Sequence, residues 1–368
     1  MSPVSPPALG TPLSPLQAMQ LAMAWAEEAI GLSDPNPRVG CVLLDAQGGF
    51  LAAGHTQAAG QAHAEVMALR QAQAQGLDVR GATAVVTLEP CAHHGRTPPC
   101  CDALVAAGIS RVVAAMVDPN PLVAGQGLAR LAAAGLRVEH GLLAAEAEAL
   151  NVGFCHRMRT GLPWVRLKWA ASLDGFTAHP DGRSQWITGA DARRDGQAWR
   201  RRAGAVLTGI GTVLADDPRL DVRDWPIARQ PLRVVLDTQA RLPAAARLLL
   251  PPGEVLHIHG PGARSSHPSW EAPLDAAGHV DAAAVLAELG RRAINELHVE
   301  AGARLNGAWL AAGLVDELLL YVAPKLLGQG RGVASVPMPL PFDDAQRWRW
   351  VDVQALGEDL RLRLRRPG

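Results

Sequence analysis

The sequence predicts an α/β protein in two domains, and three observations carry that reading. Predicted strands alternate with predicted helices, which implies a mostly parallel sheet covered on both faces. The alternation stops and restarts around Thr160-Gly161-Leu162-Pro163. The chain, at 368 residues, also exceeds what one ordinary core organises. The expected divisions are a lead-in at 1–15, a first domain at 16–160 and a second at 161–368.

Residues 1–15 hold five prolines and no charged side chain. They lack the basic start and apolar stretch of a signal peptide, so they read as a disordered lead-in. Apolar residues then recur at helical spacing over 16–30, at Leu16, Met19, Met23, Ala26 and Ile30. Asp34-Pro35-Asn36-Pro37 breaks that helix. Strands at 39–44 and 50–53 flank a turn at Gln47-Gly48-Gly49. A helix at 63–75 stops before Gly76, and a strand at 82–88 delivers Glu89-Pro90-Cys91. A helix at 101–107 follows two prolines; a strand at 111–117, a helix at 127–134 and a strand at 136–140 complete the first half. The second half reads as strands at 164–171, 205–208, 232–237, 296–300 and 317–322, with helices at 190–202 and 306–312. No internal repeat stands out.

Lysine plus arginine equals aspartate plus glutamate, 35 each, so the chain lacks the basic field of a protein that grips nucleic-acid phosphates. Hydrophobic residues at 48% and charged residues at 19% describe a globular protein. No apolar run approaches the roughly 20 residues that span a bilayer. Five cysteines in so long a chain make no disulfide framework. The expected setting is the reducing cytoplasm, and the expected partners are small molecules, with no nucleic acid and no membrane. A homo-oligomer is left open.

Two pieces of sequence carry chemistry only if they meet in space: His63-Ala64-Glu65, and Pro90-Cys91 followed by Cys100. Together they offer one imidazole, two thiolates and an acid that need not ligate. That is the ligand set of a single zinc with an open fourth position, where water is activated. Glu65 is then the proton shuttle. A structural zinc closed by His93, His94 or Cys101 is the plainer alternative. Zinc deaminases pair H-x-E with P-C-x-x-C, whereas eight residues, Ala92 to Pro99, separate the cysteines here.

The wider motif resembles a known family. Asp34-Pro35-Asn36-Pro37-Arg38-Val39-Gly40, Gly54-His55, His63-Ala64-Glu65, Thr87-Leu88-Glu89-Pro90-Cys91-Ala92-His93-His94-Gly95-Arg96-Thr97-Pro98-Pro99-Cys100 and Asp118-Pro119-Asn120-Pro121 are similar to the pyrimidine deaminase of riboflavin biosynthesis. The long loop between cysteines belongs to that branch. The resemblance implies a cytidine-deaminase-like α/β/α sandwich. It also implies a pyrimidine ribosyl phosphate substrate, 2,5-diamino-6-ribosylamino-4(3H)-pyrimidinone 5′-phosphate, whose amine leaves as ammonia. By matched position His63, Cys91 and Cys100 ligate zinc, Glu65 moves the proton, and Asn36, His55 and Arg96 contact the pyrimidine substrate.

The second half has no G-x-G-x-x-G fingerprint after its first strand. Glu300-Ala301-Gly302-Ala303-Arg304-Leu305-Asn306-Gly307 instead ends a strand and opens a helix whose N-terminus suits a phosphate. With Lys168-Trp169-Ala170-Ala171-Ser172-Leu173-Asp174-Gly175, Ser184-Gln185-Trp186-Ile187-Thr188 and Gly211-Thr212-Val213-Leu214-Ala215-Asp216-Asp217-Pro218, it resembles the riboflavin-pathway reductase, a dihydrofolate-reductase-like α/β domain that uses NADPH. The reaction implied is reduction of the ribosyl group of 5-amino-6-(5-phosphoribosylamino)uracil to ribityl. By matched position Ala170, Trp186, Thr212, Asp216, Thr238, Gly302, Ala303, Arg304, Leu305, Asn306 and Gly307 contact NADPH. Ser184, Arg200, Leu220, Arg223 and Glu300 contact the substrate, and Lys168 and Asp174 are candidate catalytic groups. Two consecutive reactions on one chain are the expectation. A nucleic-acid-editing deaminase predicts a basic groove and short cysteine spacing; a zinc-stabilised scaffold leaves Glu65 without a task.

Overall fold

The computed structural model describes residues 4–94, 98–336 and 347–367, and the chain divides into two units, Met1–Gly161 and Leu162–Gly368. In the first unit α1 (Pro15–Glu27) precedes β1 (Gly40–Leu44) and β2 (Phe50–His55). There follow α2 (Ala64–Ala74), β3 (Thr83–Val86), α3 (Cys100–Ala106), β4 (Arg111–Ala114), α4 (Gln126–Ala133), β5 (Arg137–His140), α5 (Ala144–Leu150) and α6 (Val152–Thr160).

Local chemistry explains the start of this unit. Ser14 accepts from the Gln17 N–H while the Gln17 side chain accepts from the Ser14 N–H, and Pro15 opens α1. Asp45 Oδ1 accepts the N–H groups of Gln47 and Gly49, both at 2.8 Å, and so tightens the turn that closes β1 and β2 as a hairpin. A Cβ on Gly40 would stand 1.9 Å from Ala22 O, so glycine is what lets α1 lie against β1. The lead-in differs from its expectation. Gly10 N–H donates to Phe50 O at 2.8 Å and Leu13 N–H to Gly48 O at 2.9 Å, tying its last residues to the hairpin.

The first sheet has the order β2-β1-β3-β4-β5. Only β3, β4 and β5 are parallel; β1 is antiparallel to both its neighbours. The expected mostly parallel sheet is therefore mixed here, because a hairpin rather than a helical crossover joins β1 to β2. Met19, Leu43, Leu104 and Leu131 are fully buried in its core.

The second unit runs β6 (Trp164–Ser172), β7 (Phe176–Ala178), α7 (Ala190–Arg202), β8 (Ala205–Gly209), α8 (Ile210–Asp216), β9 (Leu232–Leu236), β10 (Val255–His259) and β11 (Ser269–Glu271). Then come α9 (Ala282–Arg291), β12 (Glu296–Val299), α10 (Ala303–Ala311), β13 (Glu317–Ala323), β14 (Arg331–Gly332), β15 (Arg349–Leu356) and β16 (Asp359–Arg365). Its large sheet has the order β11-β10-β9-β8-β12-β6-β13-β16-β15. The strands from β11 to β13 are parallel, and the β15–β16 hairpin adds an antiparallel edge. Trp309, Leu167, Leu207, Leu297 and Val299 fill the core.

Several elements here were passed over in the sequence reading: β10, β11, α9, β15 and β16. In β16 the alternating partners of leucine are Arg361, Arg363 and Arg365, and their guanidiniums meet Asp195, Asp352 and Glu317 rather than water alone. α10 starts at Ala303, with Gly302 as its N-cap, three residues before the expected 306. Among the described residues no helix is long and apolar enough to cross a membrane.

Candidate active sites

Topology gathers the first site at one end of the first sheet. Because β1 is antiparallel to β2 and β3, its start at Gly40 lies beside the end of β2 at His55 and the end of β3. Asn36 before β1, His55 on β2 and Cys91 after β3 therefore share that end. His63 is the N-cap of α2 in extended conformation, and Cys100 is the first residue of α3. Cys91 Sγ and Cys100 Sγ stand 3.6 and 3.3 Å from His63 Nδ1, and the three donor atoms lie within 4.8 Å of one another. A tetrahedral zinc with Zn–S of about 2.3 Å and Zn–N of about 2.0 Å requires S···N edges of about 3.6 Å. The donor set and its spacing fit that ion.

Electrostatics fit as well. The Cys100 N–H donates to Cys91 Sγ at 3.3 Å. The Cys100 thiol, the His63 ring and that N–H together hold Cys91 well below the usual thiol range, while Cys100 keeps its proton beside the Cys91 thiolate. Binding a dication there displaces the remaining thiol proton. Glu65, in the first turn of α2, is 3% exposed. Burial, and then the negative Cys91, push its carboxyl upward, the direction that suits a group that both takes and returns a proton.

His55 stacks on Trp25 at 5.8 Å and leaves a buried Nδ1 with no partner among the described residues. Burial lowers its pKa against the pull of Glu28, which keeps the ring neutral. Asn36 is held by its backbone: its N–H donates to Ser33 O at 2.9 Å and its carbonyl accepts from Ser33 Oγ at 3.2 Å. Arg96 lies outside the described residues. Glu89 had no task in the sequence reading beyond its place in the motif. It is 5% exposed, and it accepts N–H groups from Asp118 and Gly125 on Oε2 and from Gly127 and Leu128 on Oε1. It thereby fixes the 118–125 loop and the start of α4 beside Pro90-Cys91.

In the second unit Lys168, Ala170, Trp186, Arg200, Arg223 and Glu300 line one cavity of about 630 Å³. Glu300 anchors it. Arg200 grips the carboxylate through Nε and, at 3.0 Å, through Nη2; Lys168 Nζ lies at 3.5 Å and His298 Nε2 at 3.4 Å. Burial pushes the Glu300 carboxyl up, but the charges of Arg200 and Lys168 outweigh it and hold it well below the usual range. Trp186 is 64% exposed, with the Arg193 guanidinium 4.6 Å from its ring centre. Lys325 Nζ donates to the carbonyls of Trp186 and Ile187 at 3.3 and 2.9 Å.

The remaining predicted positions distribute around the ends of strands. Thr238 follows β9, Thr212 follows β8 and Gly302 follows β12; these neighbouring parallel strands end beside one another. A Cβ on Gly302 would stand 3.8 Å from Thr212 Oγ1. The N-terminus of α10, uncapped by any side chain, follows the end of β12, and such a helix start is the kind of place where α/β sheets hold phosphates. Ala303, Arg304 and Leu305 form its first turn. Asn306 and Gly307 have structural occupations: Asn306 Nδ2 donates to Val333 O at 2.8 Å, and a Cβ on Gly307 would stand 1.9 Å from Ser335 O. Asp216 ends α8, and Thr238 Oγ1 accepts from Val280 N–H at 3.3 Å. Asp174 accepts N–H groups from Leu327 and Gly328 and the Ser172 hydroxyl, so it ties two loops together. Ser184 lies in the loop before α7 and Leu220 in the segment before β9. The cavity adds Gln197 and Tyr321, which the sequence reading missed. Gln197 stands three residues before Arg200 on α7, a spacing that shares one helix face.

Comparison with known proteins accords with both halves. Residues 14–116 match the family described as the cytidine and deoxycytidylate deaminase zinc-binding region, and residues 163–362 match the RibD C-terminal domain. Riboflavin biosynthesis protein RibD of Escherichia coli is 47% identical over 368 residues, covering 94% of this chain and 98% of that protein. The solved structure of Acinetobacter baumannii RibD, form 1, is 43% identical with a TM-score of 0.87, covering 96% of this chain and 99% of that one. The Thermotoga maritima protein named diaminohydroxyphosphoribosylaminopyrimidine deaminase/5-amino-6-(5-phosphoribosylamino)uracil reductase is 31% identical, with a TM-score of 0.84 and the same coverage, 96% and 99%. The first unit is a cytidine-deaminase-like α/β/α sandwich and the second a dihydrofolate-reductase-like α/β domain. By these matches along nearly its whole length, the chain belongs to the RibD family of riboflavin biosynthesis proteins.

Proposed function

We infer that the chain carries out two consecutive steps: hydrolytic deamination of 2,5-diamino-6-ribosylamino-4(3H)-pyrimidinone 5′-phosphate, then reduction of the ribosyl group of the product to ribityl. The observation that carries this reading is the meeting of His63, Cys91 and Cys100 beside the buried Glu65. Zinc held by those three side chains would supply the Lewis acid that makes water a nucleophile near neutral pH. Glu65 takes one proton of the water and passes it to the ring nitrogen, then takes the second from the newly attached hydroxyl and passes it to the departing amine, which leaves as ammonia. The neutral His55 ring and Asn36 hold the pyrimidine, with Arg96 as a further contact.

In the second unit NADPH would supply the hydride delivered to C1′ of the ribosyl group. The crevice at the ends of β9, β8 and β12 holds the cofactor, with its phosphate on the first turn of α10. Ala170, Trp186, Thr212, Asp216 and Thr238 complete that surface. Arg200 and Arg223 present guanidiniums to the 5′-phosphate, for which a planar fork is well matched. Ser184 and Leu220 shape the same end. The ribosyl ring oxygen, released as C1′ is reduced, needs a proton; Lys168, poised by Glu300, is the cavity ammonium that can deliver it. Asp174 supports the site through the loop it holds. Five free cysteines suit a reducing cytoplasm.

The test is the two-step reaction on the purified chain with metal analysis. About one zinc per chain, ammonia release from the diaminopyrimidine phosphate and subsequent oxidation of NADPH are expected. Zinc without ammonia release would overturn the deaminase reading, and ammonia release without NADPH oxidation would overturn the reductase reading.

A further inference from the structure

Between α8 and β9 the chain has no regular structure, yet residues 221–223 are each held in place by a side chain. Arg200 Nη1 donates to Asp221 O at 3.1 Å. The Gln230 amide accepts from Val222 N–H at 2.8 Å and donates to Val222 O at 3.0 Å. Gln197 Oε1 accepts from Arg223 N–H at 3.0 Å. Beneath them the Asp221 carboxylate pairs with the Arg223 guanidinium, and with Arg219 Nε at 2.8 Å. The segment is flanked by two non-glycine residues in the left-handed region, Leu220 at φ 56° and Asp224 at φ 62°, which persist only where the surroundings enforce them. Gln197 is 7% exposed and lines the cavity together with Arg200 and Arg223.

We propose that Gln197 and Gln230 are positioning residues for the reductase: they clamp residues 221–223 so that Arg223 meets the substrate's phosphate already oriented. The inference rests on the reading of this cavity as the reductase substrate site. The chemistry of the clamp is specific. Val222 presents one donor and one acceptor to Gln230, and an amide answers both; a carboxylate answers only the donor. Arg223 keeps a side chain 47% exposed while its backbone is fixed from below. A guanidinium so held loses less freedom on binding an anion, so the clamp acts on affinity for phosphorylated substrate rather than on the chemical step.

The full-length chain carries the test, with Gln197→Met, which keeps length and loses the acceptor, and Gln230→Glu, which keeps shape and loses the donor. NADPH oxidation is followed with the phosphorylated substrate and with its dephosphorylated counterpart. Each variant is expected to raise KM for the phosphorylated substrate by about tenfold, equivalent to about 1.4 kcal/mol, with kcat and KM for NADPH little changed. KM for the dephosphorylated substrate stays where it was. Combined with Arg223→Ala, neither change adds a further loss. Equal rises in KM for both substrates, or losses that add to that of Arg223→Ala, overturn the clamp. If Gln230→Glu does not fold, Gln197→Met alone carries the cycle. A wild-type chain that never oxidises NADPH with the phosphorylated substrate overturns the reductase reading and the clamp together, whereas an active wild type with additive losses overturns the clamp alone.

Discussion

Arg166 on β6 and Glu317 on β13 are register partners on adjacent parallel strands, and Arg166 Nε donates to Glu317 Oε1 at 2.6 Å with both side chains fully buried. Arg166 Nη1 also reaches Glu296 Oε2 at 2.9 Å, while Arg365 and Arg363 share the other Glu317 oxygen at 2.7 and 3.3 Å. Burial raises the Glu317 carboxyl, but those three arginines outweigh it and hold it at about 2. Since the folded pKa lies below the unfolded one, this stabilisation is complete above roughly pH 5 and is lost as pH falls towards 2. A shift of that size corresponds to about 3 kcal/mol. Denaturant unfolding of the wild type is expected to weaken steeply between roughly pH 5 and 3, and Glu317→Gln to flatten that slope. At neutral pH the same change should cost about 3–5 kcal/mol, because it leaves buried guanidiniums short of a partner.

Glu65→Gln separates the two activities. The variant keeps the three zinc donors, so its metal content should match the wild type, while ammonia release falls to background. NADPH oxidation on supplied deaminated substrate should continue unchanged. Cys100→Ser should instead lower zinc content, since a hydroxyl replaces a thiolate. Metal analysis alongside the two assays distinguishes these outcomes; loss of zinc in Glu65→Gln would contradict its assignment as a group that does not ligate.

Removing the Glu89 carboxylate should loosen the 118–125 loop. Glu89→Ala strips a buried acceptor from four N–H groups, and a cost of about 3 kcal/mol or more is expected. Hydrogen exchange should speed up at Asp118 and Gly125 before the rest of the first unit. Equal protection in variant and wild type would show that water replaces the carboxylate without loss.

Glu300→Gln tests the charge balance of the reductase cavity. Arg200 and Lys168 would face a neutral amide, the Lys168 ammonium would lose the anion that orients it, and NADPH oxidation should fall by about 100-fold. Ammonia release should stay at the wild-type level. A parallel fall in both activities would point to unfolding rather than to the cavity.

Legibility differed between the two sites for a physical reason. Zinc chemistry needs particular atoms, so His63, Cys91 and Cys100 stand out as candidate donors and Glu65 as a candidate base by residue type and spacing, and the structure brings the three donor atoms within 4.8 Å of one another. The reductase half is legible only through several motifs taken together, because small residues such as those from Gly302 to Gly307 carry a permissive message: a Cβ on Gly307 would also stand 1.9 Å from Ser335 O. Gln197 and Glu89 escaped because each works on another residue's backbone. A glutamine on a charged helix, or a glutamate before a proline, carries no mark of the peptide it will meet.

The sequence by itself determined the class of fold, pointed to a break near residue 160 and to a candidate set of metal donors, and carried the families both halves resemble. The first three follow from local periodicity, turn residues and side-chain chemistry, all of which act within a few residues; the resemblance rests on whole motifs such as the run from Thr87 to Cys100. The tertiary structure decided that β1 runs against both neighbours, that β9, β8, β12 and β6 end side by side, and that the arginine-rich β16 lies between β13 and the edge strand β15, with its guanidiniums on the buried Glu317 and the half-buried Asp195 and Asp352. Strand order and register are set by packing between segments far apart in the chain, with pairs such as Arg166 and Glu317 separated by a span no local pattern bridges. Where the arginines of β16 find Asp195, Asp352 and Glu317, alternation that would mark a solvated face becomes part of a half-buried ionic layer.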